Sequence, residues 1–247
     1  MKKETIILIC LVFIIFNGLC QDSDDLTKYH PKPKISTVEL LLGVSTISVD
    51  GYQAKRATST GGGGYFLSSL EMNSSISLGL GVGHKIGHHF ELLARVFYDR
   101  KSFVEKLDSI RLTPDNMLSS LSFVRSEQPR NDYLTLYILP QYQFGRKLRV
   151  NLGVGGYVST LFASKTEVVQ SSQPTYSYVS LLGYNKYDYG LSANLGLVYP
   201  LNSNTSITFQ ITASQGLSSI SDFRVALNYP SWYYRSYSFT VGIRYSR

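Results

Sequence analysis

Between Ile35 and Arg247 the chain repeats one pattern eight times: about ten residues alternating apolar and polar, then a turn or loop. In the first repeat Val38, Leu40, Leu42 and Val44 share one face, and Thr37, Glu39, Gly43 and Ser45 the other. The clearest later case sets Leu134, Leu136, Ile138, Pro140, Tyr142 and Phe144 against Thr135, Tyr137, Gln141 and Gln143. A period of two marks a strand between two different environments. The predicted strands run near 35–48, 74–83, 89–104, 132–144, 148–158, 187–199, 207–214 and 237–245. Short turns at 85–88, 145–147 and 202–204 alternate with long loops at 49–73, 105–131 and 170–185 and a fourth holding Pro230–Tyr234. An even meander with tight turns at one end and long loops at the other is the habit of outer-membrane barrels. The expected fold is therefore all-β: an eight-stranded antiparallel up-and-down transmembrane β-barrel spanning 35–247, with both termini periplasmic.

Periodicity alone does not say which face is outside, because a soluble lipocalin-like barrel would bury the apolar set. The N-terminus orients it. Met1-Lys2-Lys3 is basic, Thr5–Phe16 is apolar, and Gly18-Leu19-Cys20 puts small residues where a signal peptidase reads. Residues 1–20 read as a signal peptide cleaved before Gln21, and residues 21–34 as a flexible periplasmic lead-in. The apolar run is short for a membrane anchor of about 20 residues. A lipoprotein would want Gly, Ala or Ser where Leu19 stands. Cleavage there removes both cysteines, Cys10 and Cys20, so the mature chain exports without a thiol.

Aromatic positions support the membrane orientation. Phe90, Tyr142, Phe144, Tyr199 and Tyr245 lie on the apolar face near the short turns; Tyr98, Phe162, Tyr187, Tyr189 and Tyr237 lie on it near the long loops. Two belts with Leu, Val and Ile between them suit two membrane–water interfaces. The formal charge of +7 is scattered, with no basic cluster interleaved with aromatics, so nucleic acid is not an expected partner.

The stretches Asp132-Tyr133-Leu134 through Tyr142-Gln143-Phe144-Gly145, Leu148–Tyr157, Tyr187–Leu191, Gln215–Ile220 and Val241–Tyr245 resemble the PorT-type outer-membrane β-barrel family of Bacteroidetes. The resemblance is good over residues 132–247 and rests on pattern alone over 35–131. It implies an integral outer-membrane protein and, from the founding member's role in type IX secretion, a possible link to protein export. It supplies no catalytic residue. Arg247 departs from the aromatic on which such barrels often end, leaving Tyr245 as the terminal aromatic.

The polar face carries Glu39, Glu91, Arg95, Asp99, Arg149, Asp188 and Arg244. The interior of an eight-stranded barrel is narrow enough for side chains to fill, and opposite charges there should pair. The expected pairing sets Glu39 against Arg244, with Glu91, Arg95 and Arg149 at neighbouring depth. A structural plug is the first reading of these charges and a narrow gated channel the second. Tyr176, Tyr178, Trp232, Tyr233 and Tyr234 read as an exposed aromatic contact surface on the long loops, or as an extension of the outer belt. His30, His84, His88 and His89 gather no carboxylate or cysteine, so a solvated turn is expected rather than a metal site. The expected role is non-enzymatic, structural or docking, without cofactor or metal, in contact with outer-membrane lipid and an unidentified envelope protein.

Overall fold

In a computed structural model, residues 35–50, 58–60, 64–86, 89–112, 118–145, 147–170, 173–178, 184–220 and 232–247 are described; 58–60, 64–70, 107–112, 118–125, 170 and 173–178 are described as backbone. The expected signal peptide, lead-in and His30 and His88 lie outside these residues. Ten strands follow in chain order: β1 (Thr37–Asp50), β2 (Thr58–Thr60), β3 (Gly64–Lys85), β4 (Phe90–Leu112), β5 (Leu118–Phe144), β6 (Arg149–Gln170), β7 (Gln173–Tyr178), β8 (Tyr187–Pro200), β9 (Thr205–Gly216) and β10 (Tyr233–Ser246).

Eight of them close a barrel in the order β1-β10-β9-β8-β6-β5-β4-β3, with β3 returning to β1. Every neighbouring pair is antiparallel. Stepping across paired residues from Ser48 through each strand in turn, by way of Arg235, Gly156 and Val82, returns to β1 at Val38, ten residues from the start. That stagger obliges the strands to tilt by about 40°. The chain turns tightly at the end holding Thr37 and Ser246. There Gly145 makes the β5–β6 turn at φ +100°, a conformation that a side chain would strain.

The barrel is inside out relative to a soluble one. Leu40, Leu78, Leu152, Leu195, Ile211 and Phe239 are exposed, while Thr135, Asn151, Asn194, Thr208 and Gln210 are buried within. A continuous aliphatic belt facing outward and amides facing inward suit hydrocarbon outside and a polar interior. The soluble lipocalin-like alternative fails on this point. The two aromatic rows lie on the outer surface as expected: Phe90 packs edge-on to Tyr142 at 5.1 Å, and Tyr98 meets Phe162 at 5.9 Å. Tyr199 and Tyr189 bound β8 on that surface. Ten residues at about 3.4 Å each, tilted by about 40°, separate the rows by about 25 Å, the height of an outer-membrane hydrocarbon band.

The structure corrects the loop assignment. Much of 49–73 and 105–131 is strand: β3 begins at Gly64, β4 runs on to Leu112, and β5 begins at Leu118. β6 reaches Gln170, and β7 pairs with it inside the expected third loop. These extensions form a wall on one side of the outer mouth, flanked by β2 and β7, whereas β1, β8, β9 and β10 end near the rim. From Tyr98 to Leu112, β4 climbs about 35 Å at that rise and tilt. Water lies beyond the bilayer, so alternation is not required there and the sequence pattern fades.

Candidate functional site

Three side-chain layers fill the barrel. At the short-turn end, Glu39 and Arg244 are cross-strand partners, and so are Glu39 and Gly81, and Gly81 and Arg95. Because Gly81 has no side chain, Arg95 reaches across β3 to Glu39; a Cβ at Gly81 would meet both at 3.0–3.3 Å. Arg95 Nε donates to Glu39 Oε2 at 2.8 Å, and both residues are fully enclosed. Arg244 Nη1 lies 3.5 Å from Glu39 Oε1, while its Nη2 donates to Glu91 and, at 3.3 Å, to Thr37 Oγ1. Gln143 also donates to Glu91. The result is an open alternating chain, Arg95–Glu39–Arg244–Glu91, of two guanidiniums and two carboxylates. The expected Glu39–Arg244 pair is its longest charged link. Arg149 is half-buried at the short-turn rim, outside the chain of charges.

Amides and hydroxyls make the middle layer. Gln141 donates to Asn194 at 3.0 Å, and Asn194 donates to Thr212 at 2.8 Å. Phe97 leans over Gly79 of β3, where a Cβ would overlap its ring, and stacks edge-on against Tyr137 at 5.7 Å. The space left among Arg95, Phe97, Asp99, Tyr137 and Thr212 is about 10 Å³, room for about one water.

The outer layer begins with Asp99, buried beside Tyr137 at the edge of that space. Lys101, two residues on and facing the same way, donates to the buried Asp188. Asp188 also accepts from Tyr157 at 3.1 Å and Ser218 at 2.8 Å. The Lys101 ammonium sits 4.7 Å over the Tyr133 ring, 4.9 Å over Tyr234 and 5.1 Å over Tyr157. A desolvated cation gains most from aromatic faces there. Lys101 is absent from the expected charge set, although its even spacing from Glu91, Arg95 and Asp99 places it on their face.

Above it Ile47, Phe103, Tyr133, Leu161, Ile220, Trp232 and Tyr234 close the mouth as one apolar cluster. For Trp232 and Tyr234 this overturns the expected exposed aromatic surface. Trp232 is 5% exposed and Tyr234 2%, with Tyr233 half-buried between them. Trp232 packs edge-on to Phe103 at 6.3 Å, and the Tyr234 hydroxyl accepts from Asn131 at 3.1 Å. A Trp-Tyr-Tyr run beside a loop proline looks solvent-facing in sequence, but here the chain folds inward over the lumen. Tyr176 and Tyr178 belong to β7, and their side chains lie outside the described set. His89 Nδ1 donates to the Gln143 carbonyl, 3.0 Å away, at the first short turn.

The model of a family described as outer membrane protein beta-barrel domain matches residues 38–222. No curated protein matches the chain. Among solved structures it is similar to the outer membrane protein OprG of Pseudomonas aeruginosa, at 14% identity over 87% of this chain and 97% of that one, with a TM-score of 0.44. It is also similar to neisserial surface protein A, at 10% identity over 85% and 96%, TM-score 0.45. The outer membrane protease OmpT of Escherichia coli gives 9% identity over 90% and 99%, TM-score 0.45. At such identities these likenesses say nothing of what the chain binds or does.

Proposed function

The chain belongs to the outer membrane protein beta-barrel domain family and is an integral outer-membrane barrel, and from that premise we propose that it is a non-enzymatic docking barrel of the cell envelope. The observation that carries this reading is a contrast between the two parts of the molecule. The lumen is packed from the Arg95–Glu39–Arg244–Glu91 chain to the Trp232 cluster, while a one-sided sheet stands beyond the outer girdle. A filled interior leaves little room for a solute path or a substrate, so among the described residues the surface left for a role is the wall. The likeness of residues 132–247 to PorT-type barrels makes a protein-export component the partner class.

The test has two arms. Purified protein in planar bilayers should give no stable conductance. A photocrosslinking side chain in place of the exposed Lys165 on the wall should capture a protein in living cells, while one at Lys147 in the β5–β6 turn should not. Stable large openings of the native chain, or wall crosslinks confined to lipid, would overturn the proposal.

A further inference from the structure

The wall and the barrel do not separate cleanly, and the place where they part has the chemistry of a lipid site. β3 keeps its pairing with β1 from Gly83 to Asn73, but its ladder with β4 breaks between Met72 and Ser77. Two polar side chains bridge the gap: Ser75 Oγ donates to the Arg100 carbonyl at 2.5 Å, and Asn73 Nδ2 donates to Ser102 Oγ at 3.1 Å. The parting leaves a hollow of about 460 Å³ on the outer surface. Ile76 and Leu78 line it from the lipid-facing belt, Tyr98 marks the outer girdle, and Arg100, Gln128 and Arg130 complete the lining.

The arrangement is graded from apolar to cationic along the bilayer normal. Each arginine is anchored without being used up. Arg100 gives Nε to Asp132 at 2.7 Å and one Nη to Tyr98 at 3.0 Å, and its other Nη has no partner among the described residues. Arg130 gives a single Nη to both Glu167, at 2.8 Å, and Gln128. Both guanidiniums keep about two-fifths of their side-chain surface accessible. Held side chains with spare donors lose little freedom when an anion arrives, and a guanidinium fork matches phosphate geometry.

We propose that this hollow is a binding site for an anionic glycolipid of the outer leaflet, with its phosphate on Arg100 and Arg130 and an acyl chain laid over Ile76 and Leu78. The occupant is argued from position and charge: the floor is continuous with the hydrocarbon belt, and the donors stand at headgroup height. A free phosphate would use only the upper half.

The test is native mass spectrometry of the folded, detergent-solubilised full chain titrated with diphosphoryl lipid A. About one retained lipid per barrel is expected, with at least tenfold weaker retention of phosphatidylcholine and no displacement by 10 mM inorganic phosphate. Arg100→Gln with Arg130→Gln should weaken retention about tenfold or more. Ser74→Trp, an exposed position on the hollow that leaves both ion pairs intact, should do the same by filling it. Arg235→Gln, on the other side of the rim, should leave retention unchanged. Equal retention by the native chain and the Ser74→Trp variant, equal loss in Arg235→Gln, or displacement by phosphate would overturn the site.

Discussion

At the scale of single residues, the chain of lumen charges shows how a missing side chain sets a pairing. Reading alternate positions finds Glu39 and Arg244 opposite one another, and that register is correct. It does not reveal that Arg95 crosses β3, because the enabling feature is Gly81, a residue that carries no charge to notice. Removing one member of a buried ion pair costs about 3–5 kcal/mol, whereas removing both can be nearly neutral. Glu39→Gln and Arg95→Met should therefore each lower the barrel's urea midpoint in lipid vesicles, and the double variant should recover most of the loss. Glu39→Gln with Arg244→Met should recover little, because each change strands a different partner: Arg95 in one case and Glu91 in the other. Strictly additive losses for Glu39 with Arg95 would show that the two side chains do not interact.

At the scale of strands, legibility stops where the bilayer stops. Within the hydrocarbon band each strand must show lipid to one face and the lumen to the other, so alternation identified all eight barrel strands. The extensions of β3 to β6 have no such obligation. Pro129 falls in the expected loop 105–131 yet lies inside β5, where pairing to β4 is interrupted between Arg130 and Glu127; Pro140, already on a predicted strand, lies where pairing to β6 is interrupted between Ile138 and Gln141. In each case the missing N–H falls at a gap in one ladder, the place a strand tolerates proline. Glu39, Glu91, Arg95, Asp99, Asp188 and Arg244 were legible as buried lumen charges for the same reason as the strands, while the Trp232–Tyr234 lid was not, since folding inward over the mouth is a tertiary choice. Depth in the band is measurable. Leu195→Arg, midway between Tyr189 and Tyr199 on β8, should cost about 2–4 kcal/mol by vesicle unfolding. Leu201→Arg, exposed at the β8–β9 turn, should cost about 0–1 kcal/mol. Equal costs at the two positions would contradict the assigned band.

At the scale of the whole molecule, the asymmetry between ends makes a statement about sidedness. Three tight turns gather where Arg247 N donates to the Ser36 carbonyl at 2.9 Å, so the two described ends of the chain lie together. The extended sheet stands at the opposite end. Outer-membrane barrels keep short turns toward the periplasm and long connections outside; the wall should then face the medium and the turns the periplasm. Removal of the expected signal peptide leaves no cysteine, so single substitutions report cleanly. Lys165→Cys, exposed on β6 in the wall, should react in intact cells with a maleimide too polar to cross the membrane. Lys147→Cys and Leu201→Cys, exposed in two of the turns, should react only after the outer membrane is permeabilised. Labelling of Lys147→Cys in intact cells with Lys165→Cys protected would invert the barrel. Labelling of both sets in intact cells would mean that the apolar belt is not sealed by lipid, and with it the membrane-embedded reading of the outward-facing leucines would fall.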